Sequence, residues 1–202
     1  MSGGSDADAR KKQRGDLMKQ RSGKTAGQIQ RFEPFFFFPS ARISLSPGQR
    51  KGIAHILGTL LADEYILLAK THNARWRAKE QDHRGLHIFF DAQYDQLACI
   101  VDRLAQRMRG LGALTPSTLE GFLRATRIDE DPAPLDGDIT ISNLLSNHTS
   151  LTGIALNDGQ VCEDHFNDAD SYHLLMEITE EHKKMAWMLQ SLMHQREYEH
   201  VL

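Results

Sequence analysis

The 202-residue chain is 40% hydrophobic and 25% charged, with a formal net charge of −3 and two cysteines; this balance excludes disordered, fibrous and disulfide-framework classes. No apolar run approaches the ~20 residues of a membrane-spanning helix, and residues 1–14 are polar, without the apolar core of a secretory signal. Neither Cys99 nor Cys162 belongs to a C-x-x-C zinc pair, so the expected setting is the cytoplasm, with no membrane partner.

Charge divides the chain unequally. Residues 1–31 carry eight basic and three acidic side chains, net +5, and the remainder carries −8. Arg10, Lys11, Lys12, Arg14, Lys19, Arg21 and Lys24 therefore lie in a segment with few large apolar residues, which reads as a mobile basic tail. With the aromatic patch from Phe32 to Pro39, this tail spans residues 1–41, and the folded body spans 42–202. Ser46-Pro47-Gly48-Gln49 combines an N-cap serine, Pro at the first helical position and Gln three residues after the cap. Ile53, Ile56, Leu57, Leu60, Leu61, Leu67 and Leu68 then repeat with the helical period. A second helix carries Leu86, Phe89, Phe90, Tyr94, Leu97, Ile100, Val101, Leu104 and Met108, and stops near Gly110 and Gly112. A short amphipathic piece over 116–126 presents Leu119, Phe122 and Leu123.

A proline-containing loop over 129–138 leads into a third helix with Leu144, Leu145, His148, Leu151 and Ile154. Asn157-Asp158-Gly159 is a turn signal, yet the helix is expected to run through it to about His165. The fourth helix carries Tyr172, Leu175, Ile178, Met185, Trp187, Leu189 and Leu192. No segment reads as a strand. Four long helices, with a longer link and a short helix between the second and third, describe an all-α four-helix bundle.

The second helix holds the informative residues. His87 and Asp91 are four apart and share a face that can grip a cation, as do Asp102 and Gln106. The eleven residues from Asp91 to Asp102 separate the pairs by ~16 Å along the axis. Two metal ions of one site lie only about 3.5–4 Å apart. One helix therefore cannot bring both pairs to one site, but two copies packed antiparallel about a twofold axis can. Taken alone, a four-apart His/Asp pair is more often a solvated face. His83 extends the stripe by one turn. His55, His148, His165, His173 and His182 are scattered and read as core or surface groups. Met176, Met185, Met188 and Met193 read as packing rather than haem ligands, and Cys99 as a buried packing thiol.

These residues carry a family resemblance. Leu61-Ala62-Asp63-Glu64-Tyr65, Lys70-Thr71-His72-Asn73-Ala74-Arg75-Trp76 and Leu86-His87-Ile88-Phe89-Phe90-Asp91 resemble the Dps family, the DNA-binding proteins from starved cells. The likeness continues through Asp102 to Gly112 and resumes at Asn147-His148 and from Glu181 to Leu189. It covers about residues 42–194. The resemblance implies a ferritin-like four-helix subunit. It further implies that twelve such subunits assemble from twofold dimers into a hollow shell that oxidises Fe(II), preferably with peroxide, stores ferric mineral and protects against oxidative stress. It also implies a ferroxidase site at the twofold interface, with His87, Asp91 and Asp102 as metal ligands and no catalytic residue beyond the ligands.

Two expected ligands are replaced. Arg75 stands where the family has histidine before Trp76, and Gln106 where it has a bridging glutamate. With neutral histidines, Arg75, His87, Asp91, Asp102 and Gln106 sum to −1, against −3 for the family set. Arginine is always protonated and cannot ligate, so it repels Fe(II) or pairs with Asp91 or Asp102. One iron per site rather than two is the expectation. Gln106, His72 and His83 are the weaker ligand candidates, while Arg75 and Trp76 surround the site. The alternative is a catalytically silent shell whose tail residues bind DNA non-specifically through phosphates, giving nucleoid association. A haem-containing relative fits poorly, because Glu163-Asp164-His165 and Glu181-His182 lack the Glu-x-x-His spacing of an intrabundle di-iron site.

Overall fold

A computed structural model describes residues 44–77, 84–130 and 137–201, and these residues form five helices and no strand. They are α1 (Pro47–Arg77), α2 (Arg84–Gly110), the short α3 (Leu119–Ala125), α4 (Gly137–Phe166) and α5 (Ala169–Val201). The all-α architecture agrees with the periodicity. The basic tail, the aromatic patch and His83 lie outside the described residues.

Local chemistry sets the helix ends. Ser46 N donates to Gln49 Oε1 at 2.9 Å and Gln49 N to Ser46 Oγ at 3.3 Å, closing the capping box that starts α1. Helix α2 ends where Gly112 adopts φ 84°, a left-handed conformation that glycine takes without strain. Ala113 N then reaches back to Met108 O at 3.0 Å. Thr118 caps α3 through Gly121 N, at 3.0 Å. Asn167, at φ 51°, stops α4.

Polar ties fix the helix directions. Gln49 Nε2 donates to Phe166 O at 2.9 Å, Arg50 Nη1 to Leu111 O at 3.4 Å and Arg107 Nη2 to Asp168 Oδ1 at 2.6 Å. The start of α1, the end of α2, the end of α4 and the start of α5 therefore meet at one end of the bundle. Helix α1 runs antiparallel to α2 and α4 and parallel to α5. Leu57, Leu60, Leu97, Ile100, Leu104, Leu144, Leu151, Leu175, Ile178 and Leu189 fill the centre and are almost wholly buried. Each such side chain contributes about 1.5–3 kcal/mol of burial. An 18-residue window of α1 is apolar enough to cross a membrane by length and composition. Two-thirds of that window is buried inside the bundle, and α1 also buries Asp63, Glu64 and Thr71. Its apolar character is that of a central core helix.

Asn157-Asp158-Gly159 does not break α4. A Cβ on Gly159 would lie 2.6 Å from Met176 Cε and 3.3 Å from Leu175 Cβ. The missing side chain is thus what lets α5 approach α4. Asp158 Oδ2 accepts from Arg127 Nη1 at 3.0 Å. Arg127 also donates Nε to Asp63 Oδ2 at 2.7 Å and its backbone N to Asp63 Oδ1 at 2.5 Å. One guanidinium thereby clamps the segment after α3 to both α1 and α4. Burial pushes the Asp63 carboxyl above its ordinary range despite the opposing pull of Arg127, and Asp158 is raised for the same reason.

Two expectations need correction. Trp187, placed with the apolar positions of the fourth helix, is 67% exposed; two residues after the buried Met185, it falls on the outer face of α5. Cys99 is exposed rather than packed in the core. Cys162 is buried, and burial pushes its thiol up to about 12, which leaves it unreactive.

Candidate metal centre

The α2 face carries the expected residues in the expected order. His87 Nδ1 lies 3.0 Å from Asp91 Oδ2, the i, i+4 pairing that helical spacing requires. Asp91 is shared, however. Arg75, in the last turn of α1, donates Nη1 to Asp91 Oδ1 at 2.6 Å. One carboxylate oxygen is thus held by a guanidinium and the other by the imidazole. The Arg75 guanidinium also lies over the Tyr94 ring, 5.6 Å from its centroid. Its position in the last turn suits the negative end of the α1 dipole.

His72 packs elsewhere. Its ring lies 4.0 Å from Trp76 and 4.6 Å from Tyr94, centroid to centroid, in an aromatic group beside Arg75. Asp102 and Gln106 are exposed farther along α2. Among the described residues no three His, Cys, Asp or Glu side chains converge to hold a metal within one chain. The donor set does not fit a dinuclear centre in this arrangement, because Asp91 is already engaged at both oxygens and arginine supplies no lone pair. Trp76, packed against His72, and Ile88, next to His87 in the chain, are 68% and 61% exposed.

The bundle core holds a second polar cluster that the sequence reading passed over. His182 Nε2 and Glu64 Oε1 are 2.8 Å apart, and His182 Nδ1 faces His148 Nδ1 at 2.9 Å. All three side chains are fully buried, and they come from α1, α5 and α4. Among the described residues, Glu64 Oε2 and His148 Nε2 find no hydrogen-bond partner. The periodicity contained the signal: His148 sits on the Leu144 and Leu151 stripe, and His182 fills the gap between Ile178 and Met185. His165 and His173 are exposed.

The four antiparallel and parallel long helices, with a short helix in their one long link, define a ferritin-like bundle. The family pattern for the ferritin-like domain matches residues 54–197. The low temperature-induced protein all0458 of Nostoc sp. (strain PCC 7120) is 32% identical, across 76% of this chain and 86% of the relative. DNA protection during starvation protein 2 of Bacillus anthracis is 25% identical, across 72% of this chain and 99% of the relative. The structure of a Dps protein from Vibrio cholerae O1 superposes with a TM-score of 0.70 at 24% identity, covering 77% of this chain and 98% of that one. DpsC from Streptomyces coelicolor gives 0.72 at 19% identity, covering 82% and 95%. The chain belongs to the ferritin-like family, in its Dps branch.

Proposed function

We propose that the chain is a Dps-type mini-ferritin of the bacterial cytoplasm, a homo-oligomeric shell built from twofold dimers that binds iron and protects against oxidative stress. The observation that carries this reading is the α2 face. His87 and Asp91 pair at one end and Asp102 and Gln106 stand exposed ~16 Å away, so only an antiparallel second copy unites them. The bared Trp76 and Ile88 supply apolar surface for that contact. Fe(II) is the substrate. It would be held by His87 and Asp91 of one subunit and Asp102 of the next, one ion per site, with twelve subunits as the expected shell. Reduction of one peroxide to two waters would take two protons and one electron from each of two Fe(II) ions, which with one ion per site come from two sites or from two successive ions, and hydrolysis of the Fe(III) formed would release protons.

Apo-protein is expected to accelerate peroxide-dependent Fe(II) oxidation above a protein-free control, and Asp91→Ala to return the rate to that control. An intact shell with no acceleration would overturn the oxidase reading.

The Arg75–Asp91 ion pair favours a second reading, a catalytically silent shell that binds DNA through its tail. Phosphate neutralisation makes such binding steeply salt-dependent. Deletion of residues 1–31 removes a net charge of +5 and is expected to abolish DNA retardation in gels while leaving iron chemistry intact. Tail-independent, salt-insensitive binding would defeat that assignment.

A further inference from the structure

The Glu64, His182 and His148 line is a fully buried titratable cluster that the proposed iron chemistry does not use. It joins three helices, and its geometry sets how many protons it can hold. A hydrogen bond between two imidazole nitrogens needs one donor and one acceptor. At 2.9 Å, His148 Nδ1 and His182 Nδ1 can share a single proton. With His182 Nε2–H donated to Glu64, one of these Nδ1 atoms must stay bare. If both rings become imidazolium, two N–H groups point at each other and two like charges meet in the core.

The surroundings offer no remedy. Helix α4 packs against α5 and α1. Among the described residues, the titratable groups facing His148 from these are His182 on α5, in contact with it, and Glu64 on α1, behind His182. The adjacent α2 presents Gln93, a neutral amide whose Nε2 donates to Met185 O at 3.3 Å. Asp63 and Glu181, next in sequence to the cluster, are already paired with Arg127 and Arg103.

We propose that Glu64, His182 and His148 form an acid-opened latch at the bundle centre: one proton shared between the two Nδ1 atoms holds α4 to α5, and a second proton on that Nδ1 pair, which makes both rings imidazolium, breaks the contact and loosens the two helices. Burial, followed by the neighbouring His182, holds His148 well below the ordinary imidazole value of 6.5, so it is neutral in the folded chain. The unfolded chain takes up that proton first as pH falls. The stabilisation is therefore complete above 6.5 and declines below it.

Hydrogen exchange on the full-length protein tests this. After correction for intrinsic rates, protection of amides flanking His148 and His182 is expected to fall about tenfold per pH unit below 6.5, the slope for one proton. His148→Gln keeps an uncharged group able to donate to His182 Nδ1, and is expected to lose this pH dependence while retaining its fold at neutral pH. Constant wild-type protection down to about pH 5, or the same decline in His148→Gln, overturns the latch. Should His148→Gln fail to assemble, the wild-type profile decides. Because none of the three residues lies in the α2 site, failure here leaves the iron reading standing.

Discussion

Replacing Arg75 by histidine, together with Gln106→Glu, is expected to tighten Fe(II) binding by on the order of a hundredfold, or ~2.8 kcal/mol. The reason lies in the Asp91 carboxylate. In the wild type it is occupied at both oxygens, by Arg75 at 2.6 Å and His87 at 3.0 Å. Removing the guanidinium frees one oxygen and takes away a fixed positive charge, and the new imidazole adds a neutral donor. The five positions then sum to −3 instead of −1, since one positive charge leaves and one negative charge arrives. Stability should change little, because Arg75 and Asp91 are both partly exposed and such pairs contribute about 0–1 kcal/mol. Anaerobic calorimetry with Fe(II), run on wild type, the single Arg75→His variant and the double variant, measures the gain. Equal affinity in all three would show that the guanidinium is not what limits the site.

Arg127→Met is expected to cost about 3–5 kcal/mol of folding stability, because it strands two buried carboxylates. Asp63 has no exposed side-chain surface and loses its ion pair, keeping only the hydrogen bonds from the backbone N of residue 127 and from Thr126 Oγ1; Asp158 loses the Arg127 guanidinium that pairs with it. The melting temperature should drop by on the order of 10 °C at fixed protomer concentration. Both carboxyls are already raised by burial with Arg127 present. Without it they rise further, so the variant's penalty is greatest at neutral pH and shrinks as the pH falls and the carboxyls take up protons. Adding Asp63→Asn should return part of the loss at neutral pH. A melting temperature within a degree or two of wild type would mean that the clamp contributes no net stability.

Wherever the cause is local, the sequence was sufficient. The capping box at Ser46 and Gln49 needs only four consecutive residues, and its reciprocal bonds form as the spacing requires. The stripes of Ile and Leu fixed four long helices and their buried faces, and the i, i+4 rule put His87 on Asp91. The charge difference between Arg75 and a histidine was also legible as chemistry: a guanidinium beside carboxylates must pair. Which carboxylate it meets depends on the approach of α1 to α2, and only the fold selects Asp91.

The remaining features arise where distant segments meet. Asn157-Asp158-Gly159 has the composition of a turn, but Gly159 admits α5 and Asp158 answers an arginine thirty-one residues earlier, so tertiary contact outweighs local propensity. Trp187 looks like a core residue by type and lies outside by angle. Glu64, His148 and His182 are separated by up to 118 residues in the chain and meet within hydrogen-bond distance only because α1, α4 and α5 share one core. Sequence by itself determined the helices, their apolar faces and the shared face of His87 and Asp91 on α2, since these follow from the 3.6-residue period. Only the packing of helices against one another decided which charges pair and which are buried, because an ion pair depends on distance in space and not on spacing along the chain.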